Sequence, residues 1–354
     1  MSNKVLKQVF NQFEHQSSYF SSEELASGHI NDTYLIKTKE KPFYVLQRIN
    51  HGVFKDVPAL IKNKVAISEH IGKKLNHLSK KEQRRRVLRF EKTKKGGEYY
   101  RDPEDNYWNL MRFISGSVTH ERVTSEKIAY QGGLLMGEFL NLTSDFEASK
   151  LVEVIPDFHD MSFRYSQFEE ALRNASQDKL AQAETPIDYV KEAKEEMHIL
   201  QRLKESGELP IRVTHNDTKI SNALFGKKGK GWCMIDTDTV MPGIVHYDYG
   251  DAVRTICNTT LEDEPNLALV DFNMEYYDAY TKGFLERVGS SLTSVELKYL
   301  ALGAKTMIFI MGIRFLTDFL NGDIYYKIKY PEHNLNRSKN QFRLLDIFIE
   351  KLDN

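Results

Sequence analysis

Ile211-Arg212-Val213-Thr214-His215-Asn216-Asp217-Thr218-Lys219-Ile220-Ser221-Asn222-Ala223-Leu224-Phe225, a glycine- and lysine-rich turn at 226–231, then Trp232-Cys233-Met234-Ile235-Asp236-Thr237-Asp238: this stretch decides the fold. The turn separates two short apolar runs, which predicts a β-hairpin. Pairing Phe225 with Trp232 sets an antiparallel register that brings Asn222 opposite Ile235 or Asp236. One end of the hairpin then carries an amide oxygen and a carboxylate, and Asp217 lies in the loop entering that end.

On the N-terminal side the chain reads mostly as strands. Val5, Leu6, Val9, Phe10 and Phe13 follow helical spacing, and residues 24–28 lead into a tight turn, Gly28-His29-Ile30-Asn31. Strands are predicted over 33–38, 43–49, 87–90, 98–100 and 107–114, with an amphipathic helix carrying Leu60, Ile61, Val65, Ile67 and Ile71 between the second and third. From about Ser125 the period changes to that of helices, and helical stretches are predicted over 187–205, 267–287 and 295–320. A β-rich first third and a mainly helical remainder with one embedded hairpin predict an α+β chain of two lobes, 1–115 and 116–354, divided where a strand ends in Ser115-Gly116-Ser117.

Composition narrows the function classes. With 354 residues, 41% hydrophobic and 28% charged, the chain has the balance of a soluble globular protein. A formal net charge of -1 argues against a nucleic-acid binder, which carries a basic excess. The basic run Lys80–Arg86 has no interleaved aromatics and reads as a solvated surface between a helix and a strand. Cys233 and Cys257 stand in apolar surroundings with no Cys or His at ligand spacing, as expected of reduced thiols. The N-terminus lacks an apolar signal segment, and no run is expected to supply the roughly 20 apolar residues of a membrane span. A cytoplasmic protein with no membrane partner is the expectation.

The residue types at the hairpin suit phosphoryl transfer. That reaction needs hard oxygen ligands for Mg²⁺ and a carboxylate to take the proton of the attacking hydroxyl. Asp217 is the candidate base; Asn222 and Asp236 are the candidate metal oxygens. The spacing Asp-x-x-x-x-Asn, with His two residues ahead, matches the catalytic loop of protein kinases, and His215 would brace that loop. Two alternatives stand beside it. Asp217 and Asn222 serve as turn caps, or His215, Asp217 and Asp236 ligate the metal of a hydrolase, although no further His stands at ligand spacing. Downstream, His246-Tyr247-Asp248-Tyr249-Gly250-Asp251 opens a helix, where Asp248 would cap and Asp251 would brace the catalytic loop.

His215-Asn216-Asp217-Thr218-Lys219-Ile220-Ser221-Asn222, followed by Ile235-Asp236, resembles the aminoglycoside phosphotransferase/choline kinase superfamily, which implies a two-lobed protein-kinase-like fold. Asp236-Thr237-Asp238 stands in place of Asp-Phe-Gly and no Ala-Pro-Glu follows, as in small-molecule kinases. A wider resemblance, to the N-acetylhexosamine 1-kinases, runs through most of the chain. It is carried by Gly28-His29-Ile30-Asn31, Ile235-Asp236-Thr237-Asp238-Thr239-Val240-Met241-Pro242-Gly243, Arg314-Phe315-Leu316-Thr317-Asp318, Gly322-Asp323-Ile324-Tyr325 and Lys329-Tyr330-Pro331-Glu332-His333-Asn334-Leu335. The resemblance implies ATP- and Mg²⁺-dependent phosphorylation of N-acetylglucosamine or N-acetylgalactosamine at the anomeric hydroxyl. Asp217 would be the base, Asn222 and Asp236 the Mg²⁺ ligands, and His29, Arg314 and Tyr325 the sugar contacts. Read by themselves, Arg314 also fits a helix-end ion pair, Tyr325 a packed aromatic and His29 a turn residue.

Protein kinases grip the nucleotide phosphates with a third-strand Lys paired to a helix Glu. Here the strand reads Tyr44-Val45-Leu46-Gln47-Arg48-Ile49. Arg48 is the candidate replacement, with Glu69 as a helix partner; otherwise Mg²⁺ and backbone amides do the work. A kinase for an amino sugar, choline or a related amine is the rival function, its cation served by the acids around Asp248. A nucleotide-binding pseudokinase is a third reading, opposed by Asp217, Asn222 and Asp236 all being present.

Overall fold

The computed structural model describes residues 1–25 and 30–353. In chain order the strands are β1 (Tyr19–Glu24), β2 (Asp32–Thr38), β3 (Tyr44–Ile49), β4 (Phe90–Glu91), β5 (Tyr100–Arg101), β6 (Tyr107–Arg112), β7 (Ser117–Val118), β8 (Arg212–Thr214), β9 (Ala223–Gly226), β10 (Gly231–Met234) and β11 (Met241–Gly243). The helices are α1 (Asn3–Phe10), α2 (Val57–Lys74), α3 (Lys80–Arg86), α4 (Glu126–Thr143), α5 (Met161–Asn174), α6 (Gln177–Gln182), α7 (Glu184–Met197), α8 (Ile199–Glu205), α9 (Val245–Cys257), α10 (Met274–Val288), α11 (Ser294–Lys298), α12 (Leu300–Leu320) and α13 (His333–Leu352). Two compact units result. The first comprises Met1–Thr119, Leu142–Pro156 and Asn222–Pro242; the second comprises His120–Asn141, Asp157–Ser221 and the chain from Gly243 onward. The class is α+β as expected, with the sheet in the first unit and most helices in the second.

The first unit is built on an antiparallel sheet of order β1-β2-β3-β6-β4, with β5 also on β6. Strand alternation sends Tyr44 and Leu46 to one face and Val45 and Gln47 to the other. On the first face α1, capped by the Ser2 hydroxyl, lays Leu6, Val9 and Phe10 against Tyr34, Ile36, Leu46, Trp108 and Leu110. Full burial of one such side chain contributes about 1.5–3 kcal/mol. On the second face Val45 and Met111 pack with Cys233, Leu224, Trp232 and Ile235 of the β9–β10 hairpin. Helix α2 starts at an Asp56 cap with Pro58 in its first turn and buries Leu60, Ile61, Lys64, Val65 and Ile67.

The basic run at 80–86 differs from expectation in being helical. Ser79 caps α3, Gln83 is its buried position, and the Arg85 guanidinium lies 4.5 Å over the Trp232 ring. The long predicted helices are also interrupted: 187–205 breaks between α7 and α8, and 295–320 between α11 and α12.

In the second unit α12 is the central helix, packed on α13, α9 and α5. It corrects the expectation that no segment reaches membrane-spanning length. Its 21 residues are long and apolar enough by that test, with 72% of the most apolar window buried inside the fold. Burial on nearly all sides makes a helix apolar all round. The crossing with α9 depends on two glycines. A Cβ on Gly250 would stand 2.2 Å from the Gly303 carbonyl oxygen, and one on Gly303 would stand 2.8 Å from the His246 carbonyl oxygen. That close approach fixes the first turns of α9, on which the loop after β8 rests.

Candidate active site

Strand β8 delivers the loop from His215 to Ser221 onto the start of α9. The Asp248 carboxylate accepts the His215 amide through one oxygen and the Asn216 amide through the other, both at 2.7 Å. Asp251 accepts the Thr218 amide at 2.9 Å, and the Thr218 hydroxyl donates to the Asp248 carbonyl at 2.7 Å. Asn216 adopts a left-handed backbone, φ 63°, steadied by its side-chain amide on the Thr214 hydroxyl at 2.9 Å. The amides on both sides of Asp217 are therefore immobilised. Its own carboxylate is partly exposed and takes the Lys219 ammonium at 2.9 Å.

Burial dominates the acids beneath the loop. It raises Asp248 to about 7, against the two amides that favour its anion, while Asp251 and Asp217 add repulsion. Burial would raise Asp251 too, but the Arg254 guanidinium at 2.9 Å outweighs it and holds that carboxyl below its ordinary range. The pairing continues from Arg254 to Glu262 at 2.8 Å and from Glu262 to Arg337 at 2.6 Å. Neither Asp248 nor Asp251 has both oxygens open for an organic cation.

A second group of side chains forms a cationic corner. Arg314, on α12, lies 5.4, 6.0 and 5.7 Å from the rings of Phe158, Tyr325 and Tyr326. Its one polar contact is the Met311 sulfur at 3.6 Å, and it makes no ion pair among the described residues. Arg164 donates to the Phe158 carbonyl at 2.6 Å and to Gln167 at 2.8 Å; burial, then Arg314, brings its guanidinium down to about 10. His159 is buried with neither ring nitrogen in a hydrogen bond of good geometry. Burial first, then Arg314 and Arg164, lowers it to about 3, opposed by Asp251 and the Asn216 backbone. The ring is thus neutral at pH 7, and it feels both the arginine corner and the loop that carries Asp217.

Tyr325, 66% exposed, stands edge-on to Tyr326 at 4.8 Å. Buried Asp318 holds the segment by accepting the amides of Ile324, Tyr325 and Tyr326 at 3.1, 2.8 and 2.9 Å. Asn334 adds a bond to the same carboxylate at 2.9 Å. Sequence reasoning singled out Arg314 and Tyr325 through the resemblance but missed Asp318 as the organiser of the Tyr325 segment, and missed Arg164 and His159 altogether. No motif marks those two; only the fold brings α5 and its preceding loop to α12.

In the first unit the hairpin register runs Gly231 to Phe225, Cys233 to Leu224 and Met234 to Ala223, with Trp232 bulged. The bulge absorbs one residue, so Asn222 falls opposite Ile235, whose amide donates to the Asn222 carbonyl at 2.8 Å. Asp236 follows in a left-handed conformation, φ 58°, with its side chain exposed. The exposed Asp236 carboxylate and the buried Asn222 amide both belong to the same end of the hairpin, and their oxygens are hard donors of the kind that fits Mg²⁺, which keeps several waters and phosphate oxygens of its own. Among the described residues no group of three or more His, Cys, Asp or Glu is placed to hold a metal by itself.

The same unit settles where the strand residues lie. Arg48 is on the α1 face of the sheet with its Nε 2.6 Å from Asp32, whereas Gln47 is buried on the α2 face. Glu69, the helix partner expected for Arg48, is exposed on α2 and makes no ion pair among the described residues. Facing Gln47 is Lys64, which donates to Gln47 Oε1 at 2.9 Å and to Asp238. Asn31 donates to Asp238 and accepts the Asn50 amide at 2.7 Å. His29 falls outside the described residues.

A sheet-based first unit, a helical second unit and a His-x-Asp-x-x-x-x-Asn loop running into a hairpin define a protein-kinase-like small-molecule phosphotransferase fold. Three solved structures match along nearly the whole chain. An aminoglycoside phosphotransferase from Alicyclobacillus acidocaldarius subsp. acidocaldarius DSM 446 is 12% identical with a TM-score of 0.63, over 98% of this chain and 96% of that one. A spectinomycin phosphotransferase in complex with ADP and spectinomycin is 13% identical with a TM-score of 0.57, over 100% and 99%. A choline kinase from Cryptosporidium parvum Iowa II is 12% identical with a TM-score of 0.59, over 99% and 97%. The model of the phosphotransferase enzyme family matches residues 21–282, well over half the chain, and the chain belongs to that family.

Proposed function

We propose that this phosphotransferase moves the γ-phosphoryl group of ATP to the anomeric hydroxyl of an N-acetylhexosamine, N-acetylglucosamine or N-acetylgalactosamine, giving the sugar 1-phosphate and ADP. The observation that carries the reading is the pairing of an immobilised Asp217 loop with a cationic, aromatic-walled corner on the same helical unit. Asp217 accepts the proton of the C1 hydroxyl as its oxygen bonds to the γ-phosphorus and the bond to the ADP oxygen breaks. Lys219, 2.9 Å from that carboxylate, offers a cation to the phosphoryl oxygens. Asn222 and Asp236 are the residues to hold Mg²⁺, which when bound neutralises phosphate charge. The ADP in the spectinomycin phosphotransferase complex supports a nucleotide as donor.

The corner favours an acceptor rich in oxygens. Arg314 and Arg164 offer donors without a carboxylate partner among the described residues, and Tyr325, Tyr326 and Phe158 offer ring faces to a pyranose. With His29 these would contact hydroxyls and the acetamido carbonyl. The same corner disfavours choline or another amine, which needs an anionic or aromatic cage free of competing cations. Asp248 and Asp251, the acids that such a rival requires, are bound to backbone amides and Arg254. ADP release should be measured with N-acetylglucosamine, N-acetylgalactosamine, their 1-deoxy analogues and choline. Turnover with the first two alone supports the reading; turnover with a 1-deoxy sugar or with choline alone overturns it.

A further inference from the structure

We propose that Lys64 is the cation of this chain that meets the phosphates of the nucleotide, delivered from helix α2 and not from strand β3. On the strand, the side chain facing α2 is Gln47, and the basic residue beside it, Arg48, faces α1 and is held by Asp32. Lys64 reaches the vacated position from the helix. Its side chain is 2% exposed, and its ammonium donates to Gln47 Oε1 at 2.9 Å and to one oxygen of Asp238.

The two ends of this ion pair are not equally satisfied. Asp238 has one oxygen on Lys64 and the other on the side-chain amides of Asn31 and Gln47, the latter at 3.1 Å. Gln47 in turn takes the Asn109 amide at 3.3 Å. An ammonium has three donors; two are used, and the third has no hydrogen-bond acceptor among the described residues, its other recorded neighbour being the Phe90 ring with its centroid 5.6 Å away. A saturated carboxylate and an ammonium with one donor to give form a site that wants one more anionic acceptor. Stability alone is a poor account of the pair, because desolvating two charges cancels most of their attraction.

Its surroundings say which anion. Asp238 is two residues beyond Asp236, the proposed Mg²⁺ ligand, and Asn31 immediately precedes β2. One network thus ties the loop after the hairpin, Asn31 just before β2, strand β3 and helix α2 to a single ammonium. The strand cation and helix carboxylate of protein kinases are replaced by a helix cation and a carboxylate from the loop after the hairpin. This inference rests on the phosphotransferase reading but not on the sugar, and its test contains no sugar.

Calorimetric titration of ADP and of adenosine into the full chain, with and without Mg²⁺, measures the effect. Lys64→Met should weaken ADP about thirtyfold, the loss of one charge-assisted hydrogen bond, and leave adenosine within about twofold of wild type. Lys64→Arg should recover part of the ADP affinity. Because Lys64→Met strands a buried carboxylate, the double variant Lys64→Met/Asp238→Asn supplies a neutral, foldable pair. It should bind adenosine normally and ADP weakly. Unchanged ADP binding in either variant, equal loss of ADP and adenosine, or recovery of ADP binding in the double variant would each overturn the proposal and leave Lys64 a structural residue.

Discussion

Asp217 is held by what surrounds it and not by its own bonds: the amides before and after it are pinned by Asp248 and Asp251 while its carboxylate faces Lys219. Asp217→Asn should therefore leave the loop intact. Turnover is expected to fall about 10²–10⁴-fold, the usual contribution of a general base, with ADP affinity by calorimetry unchanged; near-wild-type turnover would remove Asp217 from its role. Arg314 makes a different prediction, because it touches no anion among the described residues. Arg314→Ala should raise the sugar KM about tenfold or more with kcat nearly preserved, the pattern of lost ground-state binding. A drop in kcat at unchanged KM would place the residue outside the acceptor site. Single residues were unevenly legible. Asp217, Asn222 and Asp236 stand out as candidates by residue type and spacing. Lys64 does not, since a lysine in an amphipathic helix reads as solvent-facing until its ammonium is seen paired inside the unit.

At the scale of elements, Asp318 organises the segment that bears Tyr325 by satisfying three consecutive backbone amides. Asp318→Ala should leave those amides unpaired, speed limited proteolysis around 323–330 and raise the sugar KM; an unchanged cleavage rate would mean that the segment is held by other contacts. The α9–α12 crossing makes a stricter demand. Gly250→Ala puts a methyl 2.2 Å from the Gly303 carbonyl oxygen, which must move the helices apart. The expected cost is about 1–3 kcal/mol by urea melts, with turnover reduced as the support of the Asp217 loop shifts. The hairpin was read correctly as an element because alternating apolar runs around a glycine turn leave little else to form. Its register needed the structure, because the Trp232 bulge depends on packing beside Arg85 and Leu88 and not on the local sequence. Helix boundaries inside 187–205 and 295–320 were missed for a related reason: the breaks at His198 and Tyr299 carry no Pro or Gly, and tertiary packing sets them.

For the whole molecule, buried titratable groups set the dependence of stability on pH. His159 and His246 are lowered by burial to about 3 and about 4, so the unfolded chain binds their protons well before the folded one. Their contribution is complete above the ordinary histidine range, near 6.5, and is lost as pH falls towards the folded values. Each costs about 1.4 kcal/mol per pH unit in that window. Asp248 acts in the opposite sense: raised by burial to about 7, it contributes fully at low pH and loses that contribution as pH rises through about 7. Two histidines outweigh one carboxyl on the acid side, so the urea midpoint should peak near pH 6.5 and decline by pH 5. His246→Gln should flatten the acid limb; a midpoint that rises on acidification would show that the imidazoles are not buried neutral.

The central claim concerns which oxygen receives the phosphoryl group, and phosphorus NMR of the product reads it directly. After incubation of the protein with ATP, Mg²⁺ and N-acetylglucosamine or N-acetylgalactosamine, the product phosphorus should couple to the anomeric proton of the sugar. A product phosphorus coupled instead to the C6 methylene protons, the mark of a 6-phosphate, would contradict it.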